Sequence, residues 1–292
     1  MNDKDLKLKI VQLYKNILCN ENTEYMIGLD AVKSVIGIDR GYNANNILSW
    51  INKNIKIKKK LPISDNYKSM PEAISFYSLE ESLISRNIDK SKEYIYYLSR
   101  VSDGIQILEY LLEFSLSRCN IAYRYIWHSL RMKYFIDSVD LKDNLFCCVD
   151  FIIKDMNDVN IADQVNGTLK EISWIDIFNK DLGPTINDVL LFYTISKANL
   201  TRSRTINKLI KFKLSSINIE EYKQIKQLEI NEEQIKIGRA WLLHYLNENI
   251  NINKTRLDEV IFINNIRSSL MATESNKVKT VLWNQLNNYL CS

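Results

Sequence analysis

Residues that make turns are scarce in this chain: its 292 positions hold 7 Gly and 3 Pro. Folds rich in strands use Gly and Pro at hairpins and bulges, whereas helices joined by short polar connections need few of either. About twenty short strands could not make their turns on that allowance, so the expected fold class is all-α. Hydrophobic residues at 46% and charged residues at 25% describe a chain that folds rather than a disordered one. Its length can bury a sizeable core, with two domains favoured over one.

Apolar spacing places the helices. Leu6, Ile10, Leu13, Tyr14 and Ile17 fall on one face of a helix over 5–19. Shorter helices are expected at 30–36 and 42–54, separated by Gly37 and Gly41. The basic run 53–60, closed by Pro62 and the polar stretch 64–69, marks a domain boundary. Beyond it, Ser69, Pro71 and Glu72 form a helix start, with Ser as N-cap and Glu three residues later. Helices are then expected at 71–85, 89–101, 104–117, 120–138 and 141–156, and after an irregular connection at 187–198, 201–214, 219–228, 232–249, 255–271 and 274–290. Asn231 and Gln234 make a second capping pair.

The expected architecture is a small basic N-terminal helical module, 1–62, with the helix-turn-helix order. It precedes a bundle or solenoid of antiparallel helical hairpins in two halves, 69–157 and 184–292, joined by 157–183. One faint internal echo supports the two halves. Ile121-Ala-Tyr-Arg-Tyr-Ile-Trp-His128-Ser-Leu130 and Ile237-Gly-Arg-Ala-Trp-Leu-Leu-His244-Tyr-Leu246 set the only two histidines in matching frames.

No apolar run approaches the roughly 18 residues that a membrane span requires. The N-terminus lacks the layout of a secretory signal, so the expected location is the cytoplasm. Cys19, Cys119, Cys147, Cys148 and Cys291 form an odd set without Cys-x-x-Cys spacing, and read as reduced, mostly buried thiols. A Gly-rich phosphate loop, a Gly-x-Ser-x-Gly elbow, His-Glu-x-x-His and a calcium loop are all missing. Nucleotide hydrolysis, zinc proteolysis and α/β-hydrolase chemistry are therefore not expected, nor is any cofactor or metal site.

Three patterns can carry function. His128 and His244 are the side chains best suited to proton transfer. The Glu-x-x-His spacing of di-metal bundles is missing around both, because Arg124, Ile121, Ala240 and Trp241 stand at those offsets. Packed helix histidines are the ordinary alternative.

The second pattern is charge. Residues 1–60 hold 11 Lys and Arg against 6 Asp and Glu, leaving 28 against 29 for the other 232 residues. Lys53, Lys56, Lys58, Lys59 and Lys60 could neutralise phosphates, with Arg40, Tyr42, Asn43 and Asn45 near base edges. A lysine run is more commonly a solvated tail. The third pattern is aromatic: Tyr97, Tyr123, Trp127 and Trp241 could line a ligand pocket, or simply fill the core. The favoured function is a non-catalytic helical binding or scaffold protein that recognises a protein, peptide or apolar ligand. Nucleic-acid binding through the N-terminal module is the alternative, and an enzyme using His128 or His244 the third reading.

Overall fold

In the computed structural model, fifteen α-helices and no strand form among the described residues, which are 3–18, 22–40, 44–55, 74–136, 138–164, 173–217, 219–252 and 254–291. The expected all-α class holds. The helices run α1 Asp3–Ile17, α2 Glu24–Ile36, α3 Ala44–Asn54, α4 Phe76–Ile84, α5 Ile88–Val101, α6 Ile105–Arg118, α7 Ala122–Met132 and α8 Ser138–Asp155. They continue with α9 Trp174–Phe178, α10 Ile186–Lys197, α11 Ser203–Ser216, α12 Glu232–Ile237, α13 Ala240–Asn251, α14 Leu257–Met271 and α15 Asn276–Cys291. Sequential neighbours pack together in α4 with α5, α6 with α7, α10 with α11 and α14 with α15, as short connections require.

Helix α2 is the central element. It packs against α1, α3, α7, α13 and α14, and side chains on every face of it are buried, from Met26 round to Ile36. A helix covered all round reads as apolar on all sides, which is why α2 lacks a clear solvent stripe. At Gly28 an added Cβ would lie 2.4 Å from Cδ1 of Leu257, so the glycine lets the start of α14 come close. The apolar core runs as one cluster from Leu6 in α1 to Leu286 in α15. Residues expected in the separate module 1–62 thus share their core with the body, while the expected boundary itself lies outside the described residues.

Several boundaries differ from expectation, each for a local reason. The start at Ser69, Pro71 and Glu72 lies outside the described residues, and α4 begins at Phe76, where the N-cap Ser75 accepts from the backbone N–H of Ser78. Helix α2 begins at Glu24 rather than 30. The helix expected over 232–249 is broken by Gly238, whose φ of 56° and ψ of −130° only glycine adopts readily. Its first part keeps the expected capping box of Asn231 and Gln234.

The helix expected at 219–228 shrinks to a single 3-10 turn, because its backbone finds partners elsewhere. The N–H of Ile225 donates to the carbonyl of Asn179, that of Leu228 to Oδ1 of Asn284, and the Asn288 amide to the carbonyl of Lys226. Cys119, Cys148 and Cys291 are free, but Cys147 is disulfide-bonded, which corrects the expectation of five reduced thiols. Bond formation depends on which thiol arrives within reach, and spacing along the chain does not reveal that. No helix among the described residues is long and apolar enough to cross a membrane.

Candidate functional site

Within α2, Asp30, Lys33 and Ser34 occupy positions i, i+3 and i+4, so they share a face in an otherwise apolar segment. That face meets α7 and α14. Asp30 is completely buried. One of its oxygens takes the Lys33 ammonium at 2.6 Å, and the other accepts from His128 Nδ1 at 2.7 Å and Arg131 Nε at 3.0 Å. Lys33 also donates to the carbonyl of Arg131 at 3.1 Å, and Arg131 donates to Ser34 Oγ at 2.9 Å.

Helix α14 adds a second guanidinium. Arg267 is 7% exposed and, among the described residues, has no carboxylate partner. Its Nε donates to Asn264 Oδ1 at 3.1 Å, Nη2 to Ser268 Oγ at 3.1 Å, and Nη1 to the weak acceptor Met271 Sδ at 2.7 Å. Ser268 Oγ accepts from Arg131 as well, at 3.0 Å, which uses both of its lone pairs and leaves its own O–H to donate. Lys33, Arg131 and Arg267 therefore draw on the one carboxylate of Asp30.

Burial alone would push the Asp30 carboxyl up, but Arg131, Lys33 and His128 together hold it well below the usual range. Burial pushes His128 below its ordinary value against the pull of Asp30, so the ring is neutral at neutral pH. Lys33 is lowered by burial too, with Asp30 opposing. For Arg267, burial and then the charge of Arg131 bring the pKa down to about 10, which still leaves it protonated at neutral pH.

The cluster opens onto a pocket of about 310 Å³ between α7, α10 and α14. Its walls include Trp127, Arg131, Thr194, Lys197, Arg267 and Ser268, and among the described residues no carboxylate lines it. Trp127 is 5% exposed, and its indole N–H has no hydrogen-bond partner among the described residues. A pocket lined by two guanidinium groups and an ammonium is chemically suited to an anion.

The residues singled out from sequence fall in different places. His128 joins this cluster through Asp30, while His244 lies half-buried on α13 and is not one of its members. An imidazole supported by a carboxylate resembles an oriented general base. Here Asp30 divides its charge among three partners, and no hydroxyl or thiol among the described residues bonds to His128. No group of three or more His, Cys, Asp or Glu gathers as for a metal ion among the described residues.

Of the N-terminal candidates, Arg40 pairs with Asp3, Asn45 accepts from Lys9, and Lys53 is exposed. Tyr42, Asn43, Lys56, Lys58, Lys59 and Lys60 lie outside the described residues. Residues 37–43 separate α2 from α3, a longer link than the 3–4-residue turn of a helix-turn-helix, and Asn46 of α3 bonds to Asn247 and Asn251 of α13. Among the aromatics, only Trp127 lines this pocket. Tyr123 donates to Asp188 and packs on Phe192, Tyr97 donates to Glu93, and Trp241 stacks on Tyr245.

Asp30, Lys33, Arg131 and Arg267 escape a reading by periodicity. The available signal is polar residues inside the two segments least able to reach water, 26–36 and 260–270. No protein family, no curated protein and no solved structure matches this chain.

Proposed function

We propose that this chain is a helical binding protein whose ligand is an anion seated between α7, α10 and α14. The observation that carries the reading is Arg267, a guanidinium buried at the wall of the pocket with only neutral acceptors. A buried cation without a counter-charge is costly, and a bound anion would supply the charge that Asp30 cannot share further. Lys197 adds an ammonium to the same pocket from α10. The binding role expected from the helical architecture is kept as the proposal, and the class of ligand moves from a protein, peptide or apolar molecule to an anion.

Calorimetric titration of phosphate, sulfate and acetate at low salt tests the proposal, with Arg267→Met as the control. Saturable binding that weakens at least tenfold in the variant, about 1.4 kcal/mol, is expected. Absence of binding for all three anions, or equal binding by the variant, overturns it.

A further inference from the structure

A second recess of about 400 Å³ lies beside the first. It is walled by Gly238 and Arg239 at the break between α12 and α13, by Met271 and Thr273 at the end of α14, and by Lys279 and Trp283 of α15. Met271 borders both recesses and is 57% exposed, so it forms an apolar ridge between them. Arg267 reaches that ridge from the first recess, its Nη1 donating to the Met271 sulfur. Arg239, from the second, is close enough for its charge to lower the pKa of Arg267. Among the described residues no carboxylate lines either recess.

We infer that the ligand is a small dianion, two anionic groups joined by an apolar spacer, with one group beside Arg131 and Arg267 and the other beside Arg239 and Lys279. This inference rests on the anion-binding reading above. Two separate cationic recesses of this size suit compact groups, whereas tracking a nucleic-acid backbone calls for a continuous exposed basic stripe. The ridge supplies the reason for the spacer: Met271 gives a methylene chain an apolar surface to lie on. Once the first group is seated, the second binds at high effective concentration, and the gain depends on whether the spacer spans the ridge.

The test titrates the full chain at low salt with acetate, with linear α,ω-dicarboxylates from succinate to suberate, and with monocarboxylates of matching carbon number. One dicarboxylate length is expected to bind at least tenfold more tightly than its monocarboxylate. The double variant Arg239→Gln, Lys279→Gln should abolish that advantage while acetate still binds beside Arg267. If acetate binds and no dicarboxylate of any length exceeds its monocarboxylate, the dianion inference falls and the anion pocket stands. If no anion binds at all, both fall.

Discussion

Arg124 and Arg131 stand seven residues apart on α7, and each guanidinium meets a carboxylate from another helix. Arg124 grips Asp188 of α10 with two nitrogens, Nε at 2.6 Å and Nη2 at 2.5 Å, while the Tyr123 hydroxyl donates to the same carboxylate at 2.8 Å. One cation faces one anion, in the geometry guanidinium favours. Arg131 instead shares Asp30 with Lys33 and His128, and it shares Ser268 with Arg267. The first grouping is electrically complete within the protein. The second leaves Arg267 with neutral acceptors alone among the described residues, and it borders the pocket between α7, α10 and α14.

Removing each carboxylate is the sharpest way to break this contrast. Asp30→Asn strands the buried Lys33 and the half-buried Arg131 and should cost about 3–5 kcal/mol, whereas Asp188→Asn should cost about 1–2 kcal/mol because Arg124 is 37% exposed and can turn to water. Urea denaturation of the two variants measures the gap, and equal losses would erase the distinction.

An intermediate effect concerns pH. The folded-state pKa of His128 lies below its ordinary value of 6.5, so as the pH falls below about 6.5 the unfolded chain takes up a proton that the folded one refuses. Stability present above that pH is therefore lost on acidification. His128→Asn keeps a donor toward Asp30 and removes the titration, so its urea midpoint should fall less than that of the parent between pH 7 and pH 5. Parallel profiles would mean that His128 takes up its proton as readily in the fold as in the unfolded chain.

The smallest effect is expected at Arg267. Arg267→Met replaces a buried cation lacking a carboxylate by an apolar chain of similar length, and without ligand it should change stability by less than about 1 kcal/mol or raise it. A loss comparable to that of Asp30→Asn would make Arg267 a structural cation and end the contrast.

The helices were legible because their positions follow a short-range rule, apolar residues at helical spacing with few turn-makers between them. Gly238 shows the limit of that rule: the pattern runs on through 232–249, and one backbone conformation ends the helix. Asp30 shows another. The expected helix over 30–36 sets it at the first position, but α2 begins at Glu24 and carries Asp30 in its buried interior. The charge count pointed to 1–60, where the excess is local. The excess beside the pocket is assembled from residues 33, 131 and 267, which no window along the chain brings together. His128 stood out through its echo with His244, yet its partner is 98 positions away.

The close approach of Gly28 to Leu257 also orders events in time. Helix α2 leaves the ribosome before α14, which covers one of its faces and is made more than two hundred residues later. Until then Lys33 and Asp30 have no lid, and the early helices can form only a loosely closed assembly. Native closure around α2 therefore waits for α14, and a nascent chain halted before residue 257 should be cut by protease within α2 far more readily than one that includes α14.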